Sequence, residues 1–485
     1  MGLPVESSLI VDVAIVGAGT AGMPCAIEAI RAGAKVAVIE QAERIGGALH
    51  VSAAQMSGAG AKRQKSRGIA DDWRTHLDDV LRISRSTCQA DLVELATKLG
   101  GGTIDWLEAA GFEFDPVTPA ILHFHEAYRT ARTFWGVAGG RSVLKAVKPL
   151  FDSAMAQPNA TLLLSTEVVA LRQEKDGAVT GIVVRGKDGV EQSIAAKHVV
   201  LATGGYGGNA ERFARWTGGR KLHTAALPTA TGAGIELGLA AGGVLRGGEH
   251  YLPTFAGIPA QSGGHQILWD QLPSLTPQVR APWEVFVSSE GKRFVREDVD
   301  SVDARERALN TLPDALFWAV FDERIWREAP PLLPGWKPDE LAAAWKSHEN
   351  FVTAPTLDEL AERIDCDAAT LNATIAAYND AQRAGRPDPM GRESRPLPIV
   401  EAPFRAIRMH GMVLKTPSGL TVDRNLRVVR ADGSPIAGLY AIGEALGGAT
   451  LSGNAFVGGM SVTPALGFGR WLGAKLAGRD LLEAA

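Results

Sequence analysis

Three cysteines, Cys25, Cys88 and Cys366, are all that 485 residues contain. They lie far apart, their number is odd, and no C-x-x-C occurs. That excludes a disulfide framework and a thioredoxin-type dithiol. The three read as inert thiols of a reducing compartment, and the chain is expected to be cytoplasmic. Long apolar runs are missing as well. The longest are broken by glycine or charge within about a dozen residues, short of the ~20 that a membrane span needs. No basic stretch followed by an apolar segment marks a signal peptide. Charge of one sign is scarce: the formal net charge is −4, and the one short basic patch is 62–67. This balance lacks the electrostatic footprint of a nucleic-acid binder.

Glycine, by contrast, is abundant, at 55 residues, and its placement is informative. Residues 11–16 form an apolar run rich in β-branched side chains, which predicts a buried strand. Gly17, Gly19 and Gly22 follow at G-x-G-x-x-G spacing. Thr20 and Ala21 open a helical segment to Ala32, with Gly33 placed to end it. Residues 35–39 form a second strand, closed by Glu40. In such a unit Gly17 permits a tight turn and Gly19 lets the backbone approach a pyrophosphate. Gly22 lets helix and strand pack closely, and the helix N-terminus offers N–H groups to phosphates. Glu40, 18 residues past Gly22, is placed to accept from both ribose hydroxyls. The same carboxylate argues against a 2′-phosphate there.

At 485 residues the chain is too long for one simple core, so two domains are expected. After Gln41 comes Gly46-Gly47-Ala48, then His50 and a run of small residues to Gly60. Residues 71–99 read as a helix, Gly100-Gly101-Gly102 as its interruption, and 103–110 as another short helix. A loop dense in aromatic and polar residues carries His123, Phe124, His125, Tyr128 and Trp135, and suits a substrate face. His123 and His125 have no third ligand apparent in sequence, so no metal is assigned. Residues 161–171 and 179–185, with Val168 in the first, read as strands. They lead to an apolar strand ending Ala202-Thr203-Gly204-Gly205. From about 249 to 395 proline and tryptophan concentrate and no parallel-strand pattern appears. A last strand ends at Gly443-Glu444, and Gly458-Gly459-Met460-Ser461-Val462 opens the final helix.

These stretches, in this order, resemble the FAD-dependent oxidoreductases of the fumarate reductase/succinate dehydrogenase flavoprotein family, 3-ketosteroid dehydrogenases included. The resemblance covers nearly the whole chain. It implies an α/β fold: a Rossmann-type, glutathione-reductase-like FAD-binding domain at 1–249 and 401–485, with an inserted α+β capping domain at 250–400. It implies FAD as the cofactor, held by Gly17, Gly19, Thr20, Ala21, Gly22, Glu40 and Gln41 near the pyrophosphate and ribose. Gly46, Gly47 and Ala48 would run along the pyrophosphate and ribityl chain. Val168, Ala202, Thr203 and Gly204 return beside the cofactor. Gly443 and Glu444 would sit near the ribityl chain, and Gly459, Ser461 and Val462 at the pyrimidine end. A helix N-terminus there stabilises the negative charge of reduced flavin. His50 resembles the histidine that carries a covalent flavin bond in succinate dehydrogenase flavoproteins; an unbonded histidine is the alternative. No second G-x-G-x-x-G with strand context occurs, so no NAD(P)H domain is read and the electron donor or acceptor is unidentified. Oligomeric state is not legible.

The implied chemistry moves a hydride between flavin N5 and a carbon next to a carbonyl or carboxylate, with a proton on the adjacent carbon. Arg305 lies where the family has its arginine acid, with Arg296, Glu297 and Asp303 as candidate relays; Tyr251 and Tyr128 stand in reserve. Two departures matter. Leu414-Lys415 replace the turn histidine that grips a substrate carboxylate, with His410 a few residues earlier. Residues 451–456 lack the family's carboxylate-gripping arginine, and Phe456 stands where the ketosteroid branch has a tyrosine. A ketone or enone is therefore expected rather than a small dicarboxylate. A flavin oxidase or monooxygenase, or a fumarate-reductase-like enzyme acting on a carboxylate, is the alternative.

Overall fold

The computed structural model describes residues 7–482. The expectation about a leader falls partly on residues 1–6, outside that range. Strand Ser7–Val16 lies inside an eight-stranded sheet. Across it the order is Arg427–Val429, Pro435–Ala441, Glu191–Leu201, Ser7–Val16, Val36–Ile39 and Ala160–Leu163. Strand Ser7–Val16 pairs in parallel with both neighbours. Its residues 13–16 are buried, as expected of a parallel strand covered on both faces. Helices Gly22–Arg31 and Val462–Leu476 pack on each other beside it.

Three expectations about local structure change. The segment 71–99 is two helices, Trp73–Ile83 and Ala90–Ala109, separated by a turn with Arg85 and Ser86 at positive φ. Gly100 to Gly102 do not break the second one; they lie inside it. A Cβ at Gly101 would stand 2.3 Å from the Ala59 carbonyl oxygen, and one at Gly100 would stand 3.3 Å from Gly58 Cα. The glycines give room for a neighbouring chain to cross, and tertiary packing outweighs their low helix propensity. Third, the stretch 161–171 splits. Ala160–Leu163 extends the parallel sheet, whereas Glu167–Gln173 turns into an antiparallel ribbon with Val179–Arg185.

A second core is built on a five-stranded antiparallel sheet. Its central strand, Phe404–Met412, pairs with Leu316–Asp322 along one edge. Phe351–Ala354 and Thr254–Gly257 share the other edge. Phe255, Phe286, Phe317 and Phe321 fill this core. The expected limit at residue 400 falls short of that central strand, so the chain rejoins the first unit only after Met412. The two units meet at a seam, where helix Val302–Asn310 of the second lies beside the loop carrying Phe124. There the Val302 amide donates to the Phe124 carbonyl at 2.9 Å.

Candidate active site

A cavity of about 760 Å³ lies between the two cores and is lined from both. Its deep end is built by strand ends. Strands Ser7–Val16 and Glu191–Leu201 run in parallel, so Gly17 and Ala202 leave the sheet side by side. Gly17 adopts φ +104°, and a Cβ there would stand 2.6 Å from the Ala202 oxygen. A Cβ at Gly22 would stand 1.9 Å from the Gly17 oxygen, so helix and loop touch through bare backbone. Gly22 is thus a packing residue beneath the cavity, not part of its lining.

Gly17, Gly19, Thr20 and Ala21 line the cavity, as do Glu40, Gln41, Gly47, Ala48, Val168, Ala202, Thr203 and Gly204. Glu40 is fixed by two backbone donors, Ala18 N at 2.8 Å and Ala42 N at 2.9 Å. Each oxygen keeps a lone pair for a ribose hydroxyl. Gly443, Glu444, Gly459, Ser461 and Val462 close the other side. Burial raises the Glu444 carboxyl, although Thr416 donates to it from its amide at 2.7 Å and its hydroxyl at 2.9 Å. Thr203 Oγ1 and Gln55 Oε1 are buried along this wall without partners among the described residues. Orphaned polar atoms in a glycine-floored cleft at a helix N-terminus fit a dinucleotide cofactor. Besides Gly22, two of the expected cofactor residues do not line it. Gly46 supports the loop from behind, its amide donating to the Ala18 carbonyl at 2.9 Å. His50 turns its ring to the Ile45 carbonyl at 2.9 Å, so it is not presented to the cavity.

The cap end of the cavity carries the charges. Arg305 is 1% exposed; it donates to the Leu275 carbonyl and lies 5.1 Å over the Phe255 ring. Burial lowers its guanidinium to about 10, against the pull of the Glu306 charge. Glu306 also lines the cavity, and burial pushes its carboxyl well above the usual range, helped by the Asp303 charge. On the facing side Lys415 Nζ donates to Ser452 Oγ at 3.0 Å and stands 5.7 Å from the Phe456 ring centre. Burial pulls this ammonium down to about 8.

Of the remaining catalytic candidates, Tyr251 lines the cavity, its phenol raised by burial. Tyr128 does not: its hydroxyl is tied to the Gly458 carbonyl at 2.6 Å, with His76 edge-on. His410 sits outside too, stacked on His223 at 3.9 Å, and burial drives it down to about 2. Two of the relay candidates are engaged elsewhere. Arg296 pairs with Asp298, and Glu297 with Arg293. Asp303 lies behind the cavity wall and reaches it through a partner the sequence left unassigned: its Oδ2 meets His125 Nδ1 at 3.2 Å, and His125 lines the cavity. His125 thus gains neighbours that no local spacing showed. One ligand atom each from His125, Asp303 and Glu306 fall within 4.8 Å of one another. The i, i+3 pair Asp303 and Glu306 on one helix was the available signal.

A family model described as an FAD binding domain matches residues 12–462. A relative from Shewanella frigidimarina (strain NCIMB 400), named a probable fumarate reductase, is 28% identical over 467 residues, covering 96% of this chain and 74% of its own. The open conformation of a flavocytochrome c3 fumarate reductase superposes with a TM-score of 0.71 at 27% identity, covering 97% of this chain and 79% of that one. A 3-ketosteroid Δ1-dehydrogenase from Sterolibacterium denitrificans shares the fold, with a TM-score of 0.76 at 20% identity over 97% of this chain and 100% of that one.

Proposed function

The chain belongs to the FAD-binding domain family and is an FAD-dependent oxidoreductase of C=C and CH–CH groups; on that premise we propose that its substrate is an alkene conjugated to a single carbonyl or carboxylate, or the saturated counterpart. We place the cofactor along the glycine loop, Glu40, Thr203 and Glu444, in a unit comprising the chain up to about 249 and again beyond about 412. The capping unit between them closes the cavity from the other side with Tyr251, Arg305 and Glu306.

The observation that carries the substrate reading is Lys415. Its ammonium has one hydroxyl partner, Ser452, an aromatic ring beside it and, among the described residues, no carboxylate in an ion pair. The Glu444 and Glu306 charges reach it without an ion-pair contact, so the recessed cation is costly and a ligand oxygen supplies a direct partner. Holding a carbonyl oxygen at this point draws electrons from the conjugated double bond as hydride arrives. Around it stand Leu451, Ala455, Phe456 and Val457, which favour a ring or chain over a second carboxylate. The nearby Arg305 is engaged by the Leu275 carbonyl and the Phe255 ring, so we assign it a fixed positive charge at the cap wall.

Bound FAD supplies hydride acceptance and donation. The chain's own residues hold the substrate oxygen, exclude water and keep the cap wall positive. The test is a panel of cyclic enones, mono-unsaturated acids and fumarate, each added anaerobically to the viologen-reduced holoenzyme. Rapid bleaching reversal by mono-carbonyl alkenes is expected. Reoxidation by oxygen alone, with none by any alkene, would favour an oxidase or monooxygenase instead.

A further inference from the structure

We propose that His125, held by Asp303 across the seam, gives the proton to the substrate carbon in C=C reduction and takes it in the reverse direction. The pair forms only when the capping unit is docked. This rests on the reading above that an alkene is the substrate.

His125 comes from the loop of the FAD-bearing unit and Asp303 from helix Val302–Asn310 of the cap. Asp303 is fully buried. Its Oδ2 accepts from the Glu126 amide at 2.8 Å as well as meeting His125 Nδ1, while its Oδ1 has no partner among the described residues. Burial alone would raise its carboxyl, but the bond and charge of His125, with the Arg307 charge, hold it below the usual range. An ionised carboxylate only accepts, so Nδ1 donates. That sets the tautomer and leaves Nε2 as the ring's exchangeable site. Phe456 stacks on the ring at 4.0 Å and 24°, which fixes its plane. The ring lines the same cavity as Lys415 and the glycine loop. A carboxylate orienting an imidazole toward a reacting atom is the geometry of general acid–base catalysis.

In reduction the π bond breaks and two C–H bonds form. One carbon receives hydride, with its electron pair, from the reduced cofactor; the neighbouring carbon receives H⁺ from Nε2. His125 is left neutral, with its Nδ1 hydrogen toward Asp303. Glu306, also on the cavity wall and within 4.8 Å of the His125 and Asp303 ligand atoms, is the adjacent carboxyl through which a solvent proton returns to the imidazole. A divalent cation at the same three side chains is disfavoured by the guanidinium groups of Arg305 and Arg307, whose Nε and Nη2 atoms respectively are buried without partners among the described residues.

The test uses the FAD-loaded protein and the variants H125A and D303N. Histidine ¹⁵N NMR, with the H125A spectrum identifying the signal, should show the Nδ1–H tautomer in the wild type and its loss in D303N. An Nε2–H tautomer in the wild type overturns the proposal. In stopped flow, H125A should bind flavin normally yet reoxidise with the best enone roughly 10²-fold more slowly, and free imidazole should restore part of the rate. Reoxidation near the wild-type rate overturns it. So does loss of activity on chelation that Mn²⁺ or Zn²⁺ repairs, which would make the cluster a metal site. If no alkene reoxidises the wild type, the substrate reading fails while the tautomer still decides the pair.

Discussion

Asp303 on the capping helix and His125 on the facing loop are joined at 3.2 Å across the seam between two separately cored units. Arg307 and Glu126 add an ion pair at 2.7 Å one turn along the same helix. The cavity's titratable groups therefore belong to both units, and the site is complete only where these meet.

The first prediction concerns the cofactor. Purified protein should be yellow and should release FAD into the supernatant on acid precipitation, because His50 faces the Ile45 carbonyl. His50→Ala should retain the colour. Flavin that stays with the pellet in the wild type and not in this variant would establish a covalent bond and refute this placement.

Lys415 sets a pH dependence. Its folded value, about 8, lies below the ordinary 10.5, so the ammonium is present below pH ~8 and lost above it. Affinity for a mono-anionic or carbonyl ligand should fall as pH rises through about 8. Between about 8 and 10.5 the unfolded chain binds the extra proton, so this group's contribution makes folding more favourable as pH rises there. Lys415→Met should remove both trends while leaving FAD in place. Ligand titrations by flavin absorbance at several pH values check this, and a pH-independent wild type would contradict it.

Arg305→Ala should lower turnover by at least ~10²-fold with flavin still bound, since it removes the charge at the cap wall. Arg305→Lys should recover part of the loss. Steady-state rates near normal in the alanine variant would remove Arg305 from the mechanism.

Gly101→Ala should destabilise the protein by about 1–3 kcal/mol without touching the cavity. The new Cβ would stand 2.3 Å from the Ala59 oxygen, which is backbone and cannot swing away. Urea unfolding reads the change. A neutral effect would mean that the helix Ala90–Ala109 and the crossing chain shift apart at little cost.

Fumarate should be a poor substrate. Two carboxylate-gripping side chains of the family are absent, each contributing on the order of 1.5–3 kcal/mol, so affinity should fall by roughly two to four decades if the effects add. On the proposed reading Lys415 would replace one grip, as a point charge without a fixed fork. High fumarate turnover at sub-millimolar concentration, with none on enones, would overturn this.

The parallel sheet and its glycine loop were legible because their signals are local. The run 11–16, the spacing of Gly17 to Gly22 and the terminal Glu40 all lie within one strand–turn–helix unit. The helix through Gly100 to Gly102 was not legible, because the crossing chain at Gly58 that makes glycine necessary lies far away in sequence. The strand Phe404–Met412 was assigned to the wrong unit for a similar reason: antiparallel pairing with three strands from 254 onward leaves no mark in its own residues. His125 and Asp303 are 178 positions apart, and only the docking of the cap joins them. His50 resembled a cofactor ligand through its neighbours' small size, but ring direction is decided by the carbonyl it meets.

The central strand of the capping sheet ends at Met412, and Lys415 follows three residues later. Three residues span at most ~10 Å when fully extended. A tether so short couples the sheet to the ammonium: a displacement of the strand end is passed on to the cation unless the residues between them rearrange.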